Sequence, residues 1–193
     1  MARPASFDRE AVIERAMKAF WEHGYAATSI TQLVDATHLQ PGSLYAAFDS
    51  KQGLFLAALD HYAAQTLTRL DKRLDGAADP LQGIAAFFAD LTADRSDARR
   101  RGCLLVNSAL EIARADADIH DRVTAHLTRI EMRLRAALEQ AQRDGLLPAE
   151  RSPSVLAKFL MTTVWGLRVL GSTGADARSM KQVVAQALSV LHA

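Results

Sequence analysis

Residues 28–55 read TSITQLVDATHLQPGSLYAAFDSKQGLF. Ser29 followed by Gln32 three residues on is a capping-box pattern that starts a helix. Ile30, Leu33 and Val34 then recur at i, i+3 and i+4, which puts one apolar stripe on a helix of about two turns. Thr37-His38-Leu39 interrupts it. Pro41 restarts it, because proline's missing N–H is no loss in a first helical turn. Leu44, Tyr45 and Phe48 supply the inward face of the second helix, with Tyr45 at the edge of the outward one. Two short helices joined by a three- or four-residue turn make a helix-turn-helix unit, whose second helix can enter a DNA major groove.

Outward from this unit the chain continues as helix. Residues 7–23 carry a stripe of Val12, Ile13, Ala16, Ala19 and Phe20, ended by Gly24 as an achiral cap. Asp49 or Ser50 caps a long helix with Leu54, Phe55, Leu59, Tyr62, Leu67, Leu70 and Leu74, and DGAADP at 75–80 breaks it. Further helices are expected at 81–94 and 103–113, with a polar loop at 95–102 between them. From Asp116, the residues Ile119, Val123, Leu127, Ile130, Leu134, Leu138 and Ala141 mark a long amphipathic helix that stops at Asp144-Gly145 and Pro148. Two last helices lie near 152–171 and 176–192. The first of them is apolar on more than one side, as a helix packed on its own subunit and on a second one would be.

Gly24-Tyr25, Thr28-Ser29-Ile30, Gly42-Ser43-Leu44-Tyr45-Ala46-Ala47-Phe48, Ser50-Lys51 and Leu54-Phe55 resemble the N-terminal domain of TetR-family transcriptional regulators. The string Gly-Ser-Leu-Tyr-x-x-Phe-x-x-Lys is the specific part. The resemblance implies an all-α homodimer with an N-terminal three-helix helix-turn-helix DNA-binding head. A C-terminal helical domain would bind an effector and pair the two subunits through its last two helices. The head is placed at 1–50 and the ligand-binding and dimerisation domain at 51–193, with 50–74 as connector. His38 departs from the glycine or asparagine frequent in this turn, where a left-handed backbone suits histidine less well.

Composition bounds the reading. Of 193 residues, 49% are hydrophobic and 23% charged, ordinary values for a globular protein. The single cysteine excludes an intrachain disulfide and gives no support for a cysteine-based zinc site or for secretion. No charged-then-apolar leader is visible, and Lys158 and Arg168 interrupt the most apolar segment, so a cytoplasmic protein without a membrane span is expected. Charge works against the DNA reading. Residues 1–60 hold five lysines and arginines against seven carboxylates, a balance of −2. Nucleic-acid binding would then rest on helix N-termini, hydroxyls and a few placed cations rather than on a basic surface.

By resemblance, Gln40, Ser43 and Tyr45 match positions that touch DNA, and Lys51 matches a phosphate contact at the next helix's N-terminus. Pro41 and Gly42 complete the outward face of the second short helix, while Ser29, Thr31 and Gln32 can pair with phosphates at the start of the first. Arg3 sits on an arm able to reach a minor groove. The competing reading is that all of these are solvated surface residues.

Cys103 follows Arg99-Arg100-Arg101-Gly102 at a helix start, where guanidinium charge and the helix terminus favour thiolate. The run 102–107, GCLLVN, also resembles family members that sense electrophiles or oxidants. The alternative is an inert core cysteine. An effector cavity is implied by the family, with Cys103, Asn107, Glu111, Phe159, Trp165 and Arg168 as candidate residues. Phe87, Phe88, Met132 and Met161 are further lining candidates, and ordinary core packing is the alternative for each.

No glycine-rich phosphate loop, HExxH or CxxC occurs, and the six histidines define no metal site, so no cofactor, metal or enzyme chemistry is expected. Two rivals stand beside a dimeric repressor of double-stranded operator DNA that responds to a small-molecule effector or electrophile. One is a helical ligand-binding or interaction dimer that does not bind DNA. The other is a cysteine-dependent enzyme using Cys103 and His120.

Overall fold

The computed structural model describes residues 7–93, 100–112 and 115–192. Arg3, Arg99, most of the expected 95–102 loop and the end of the expected 103–113 helix at Ala113 lie outside the described residues. Among those described, the regular structure is helical: α1 Arg9–His23, α2 Ile30–Thr37, α3 Pro41–Phe48, α4 Lys51–Asp75, α5 Pro80–Ala93, α6 Leu104–Glu111, α7 Ala117–Arg143, α8 Pro153–Ser172 and α9 Ala177–Ser189. The chain divides into two compact units, 1–64 with 107–124, and 65–106 with 125–193. The first unit thus contains the 1–50 head and adds the start of α4 and a segment from the middle of the chain.

Local chemistry sets the helix ends of the first unit. The Asp8 carboxylate accepts the N–H groups of Glu10 and Ala11 and opens α1, and Gly24 at φ 80° closes it. Ser29 and Gln32 form the full capping box, each side-chain oxygen accepting the other residue's backbone N–H, at 3.2 and 2.7 Å. His38 ends α2 in the left-handed region at φ 61°. There Arg15 donates to the Thr37 carbonyl at 3.4 Å, a cation at a helix C-terminus.

The core of this unit gathers Val12, Ile13, Ala16, Met17 and Phe20 of α1 with Leu33, Leu44 and Phe48 of the two short helices and Leu54, Phe55 and Leu59 of α4. Phe20, Tyr25 and Phe55 form an aromatic cluster, with Phe55 centred 4.9 Å from Phe20 and 4.7 Å from Tyr25. Contacts of this kind add roughly 0.5–1.5 kcal/mol beyond the area they bury.

In the second unit Leu70 and Leu74 of α4 are buried with Ile84, Phe87 and Phe88 of α5 and Leu134 and Leu138 of α7. Leu160, Leu167 and Met180 of the last two helices join them. Arg133 bonds Asp71 at 2.5 Å, so α7 is tied to α4 by charge as well as by its apolar stripe.

The turn between α3 and α4 leaves no slack. Asp49 takes φ 62°, Ser50 caps Gly53 by accepting its N–H, and a Cβ on Gly53 would fall well inside contact distance of the Phe48 carbonyl oxygen. That obstacle is backbone and cannot swing away. Gly53→Ala should therefore destabilise the protein by about 2 kcal/mol, as overpacking does. In a thermal melt this is a fall of roughly 4–8 °C for a chain of this size, and an unchanged midpoint would refute the account of this turn.

Candidate nucleic-acid interface

Burial of Leu44 and Phe48 fixes which side of α3 faces out. Gln40, Pro41, Gly42, Ser43, Tyr45 and Ala46 are all exposed. Tyr45 is 46% accessible, so it belongs to the outward face and not to the inward one on which the apolar spacing placed it. The correction has a simple cause: one residue on from Leu44 is a rotation of about 100° around a helix, which carries Tyr45 off the buried stripe. Nothing lies within 4 Å of the place a Gly42 Cβ would occupy, and its backbone is not left-handed.

Ser29, Thr31 and Gln32 are exposed at the start of α2. The capping box occupies the Gln32 Oε1 and one Ser29 Oγ lone pair, and leaves the Gln32 amide N–H₂ and the Ser29 hydroxyl proton as donors. This suits an anionic partner, which needs donors.

Lys51 is more committed than its place at the start of α4 implies. Its ammonium lies 3.5 Å from the Ala26 carbonyl oxygen and 4.6 Å from the centre of the Tyr25 ring. Burial pulls its pKa below the ordinary lysine value, and the Glu111 carboxylate opposes that shift. Tyr25 is pushed upward by burial, with the Asp116 charge adding to it.

Glu111 departs furthest from expectation. Its carboxylate accepts the backbone N–H groups of Tyr25 and Ala26 at 3.1 and 2.8 Å, in the loop between α1 and α2. A Cβ on Gly24 would meet the same carboxylate at 2.9 Å. A residue 85 positions away in sequence therefore clasps the loop that precedes the capping box. No spacing rule reveals such a pairing. Gln52 makes a second link of this kind, donating to both Asp116 carboxylate oxygens at 3.0 Å.

The remaining effector candidates differ in their exposure. Asn107 is exposed and Cys103 half-buried ahead of α6, after Gly102 at φ 72°. Phe159 and Met132 are exposed, at 43% and 63%, so neither lines an enclosed cavity. Trp165 is half-buried, and its indole Nε1 has no hydrogen-bond partner among the described residues. Arg168 lines an open groove in the second unit. Cys103 belongs to the second unit and His120 to the first. Helix α8 has the length and apolarity to cross a membrane, yet Leu156, Leu160, Met161, Val164 and Leu167 are buried in the second unit.

Comparison with known proteins agrees along the whole chain. A family model described as "Bacterial regulatory proteins, tetR family" matches residues 12–58, and one described as "Tetracyclin repressor-like, C-terminal domain" matches 77–187. The HTH-type transcriptional repressor ComR of Escherichia coli K12 is 31% identical over 96% of this chain and 90% of its own length. An HTH-type transcriptional regulator of Bacillus subtilis 168, YezE, is 28% identical over 99% of this chain and all of its own. Among solved structures, a cysteine mutant of the TetR family transcriptional regulator CifR, complexed with 26-bp double-strand operator DNA, superposes with a TM-score of 0.88. That pair is 34% identical, over 98% of this chain and 100% of the other.

The Glu111 clasp carries a direct test. Glu111→Ala removes two charge-assisted bonds at an exposed site, a loss of about 1 kcal/mol. Amide hydrogen exchange at Tyr25 and Ala26 should quicken selectively. Unchanged protection of those two amides would show that the carboxylate does not hold the loop.

Proposed function

The chain belongs to the tetR family of bacterial regulatory proteins and is a DNA-binding transcriptional regulator, and from that premise we propose that it is a repressor acting as a homodimer on a palindromic operator, in the cytoplasm. The single observation that carries the reading is the outward face of α3. It is short, uncharged and bare, and presents Gln40, Ser43 and Tyr45 around Gly42. Gly42 is the second residue of α3, in its first turn, where glycine costs less than the roughly 1 kcal/mol against alanine of a helix interior. Neither crowding nor a left-handed backbone among the described residues calls for glycine at position 42, and the open space there admits a closely approaching partner. A DNA groove is such a partner. In this arrangement Gln40 reads base edges and Tyr45 and Ser43 donate to phosphates, with Thr31, Gln32 and Ser29 on the flanking backbone and Lys51 supplying a nearby positive charge.

Gly166 makes the same argument for the second copy. It is exposed on α8 with no atom within 4 Å of its would-be Cβ. Val155, Phe159, Val169 and Leu170 of the same helix and Val183 of α9 are exposed around it. Apolar side chains flanking a glycine suit a helix crossing at close range, and a second copy of the two last helices is the occupant that gives two heads on one operator. Helix-turn-helix dimers present their recognition helices roughly 34–36 Å apart. An effector that prefers a dimer with another head spacing then lowers operator affinity.

The reading makes an unusual prediction for Gly42→Ala. Helix propensity should hold its thermal stability or raise it by less than about 1 kcal/mol, while its affinity for DNA from upstream of its own gene falls. Tyr45→Ala should lose about tenfold or more in the same gel-shift titration at fixed salt, with no change in mass by light scattering. Gly166→Leu should dissociate the dimer. Normal operator binding by both Gly42→Ala and Tyr45→Ala would show that the contacts on α3 are wrongly assigned, whereas failure of the unaltered protein to bind that DNA would favour the rival reading, a helical dimer without a DNA partner.

A further inference from the structure

A half-open groove of about 370 Å³ lies in the second unit between α4, α5 and α8. Its size is in the range that small organic ligands occupy. Phe87 and Leu91 provide apolar wall, and three arginines line it against a single carboxylate, that of Asp90. Arg73 and Asp90 satisfy each other in a two-pronged pair, Nε to Oδ2 and Nη2 to Oδ1, both at 2.6 Å. This leaves two guanidinium groups. Arg69 donates to the Thr66 hydroxyl at 3.2 Å and has no carboxylate partner among the described residues. Arg168 has neither a hydrogen bond nor an ion pair among the described residues. Counted over the described residues, the groove therefore carries an excess of two positive charges beside an aromatic ring.

We propose that this groove binds a small organic carboxylate, its charged end held by Arg69 and Arg168 and its apolar body against Phe87 and Leu91. Guanidinium forks suit carboxylate geometry, and an arginine already paired with Asp90 stiffens the floor without competing for the ligand. Two like charges at one groove repel, and an anion between them relieves that repulsion. The inference deepens the effector reading of the second unit and rests on it only for the consequence on DNA affinity. Helix α4, which supplies Arg69, starts at Lys51 directly after α3, so the ligand touches the helix that follows the recognition helix in the chain.

The test uses the full-length protein and four probes: benzoate, phenylacetate, 2-naphthoate and octanoate, each beside its own carboxamide. Calorimetric titration should find binding for at least one carboxylate. Its amide, and the Arg69→Gln and Arg168→Gln variants, should bind about tenfold more weakly or worse, the cost of losing a charge-assisted contact. Arg178→Gln, an exposed substitution outside the groove, removes the same charge and should bind normally. Circular dichroism melts confirm that each variant is folded. Absence of binding by all four carboxylates, equal binding of acid and amide, or equal loss in Arg178→Gln overturns the proposal. A chain that binds operator DNA but no carboxylate refutes the groove alone. One that binds a carboxylate but no operator refutes the regulator reading and leaves the groove standing.

Discussion

The tight reversal between α3 and α4 is the constraint on which the rest of the first unit depends. Phe48 is buried, Asp49 takes a left-handed backbone, and α4 begins so close behind that only glycine fits at position 53. With its C-terminal end held this way and Leu44 and Phe48 sunk into the core, α3 cannot roll. Its opposite face is left to solvent or to a partner. A helix of eight residues is too short to be stable by itself. Its order comes from packing, and so does the orientation of Gln40, Ser43 and Tyr45.

Charge is used economically in the same unit. At least three of the seven carboxylates that make the head acidic by count are engaged within the chain. Asp8 caps α1, Glu14 faces His61 at 2.8 Å and Lys18 at 2.9 Å, and Asp60 pairs with Arg122. Most of these are partly exposed pairs of small individual worth. The outward face of α3 is uncharged for a separate reason, since residues 41–48 contain no carboxylate to repel phosphate. A composition of −2 therefore says little about the potential where DNA would lie, because position and pairing decide that.

Glycine positions divide by cause. Gly24 answers a left-handed backbone and the Glu111 carboxylate, Gly53 a carbonyl oxygen, and Gly83 the Cα of Leu74. Gly42 and Gly166 answer nothing within the chain. In the proposed reading one of them faces DNA and the other a second copy of the chain.

Much of this was legible in the residues themselves. Apolar spacing, capping pairs and the breakers at 75–80 and 144–148 placed the helices of the described residues close to their observed ends, because periodicity and caps are local properties. The motif around residues 42–51 identified the family for the same reason. The first unit's extent, the outward turn of Tyr45, the clasp of Glu111 on residues 25 and 26, and the gathering of Arg69, Arg73 and Arg168 with Asp90 were decided only in three dimensions. Each joins groups by distance in space or by rotation about a helix that nearby sequence does not encode. Glu111, read from its neighbours, is one more polar residue near a presumed cavity. Only the folded chain brings its two oxygens to a loop 85 residues away, where unpaired backbone N–H groups require an acceptor.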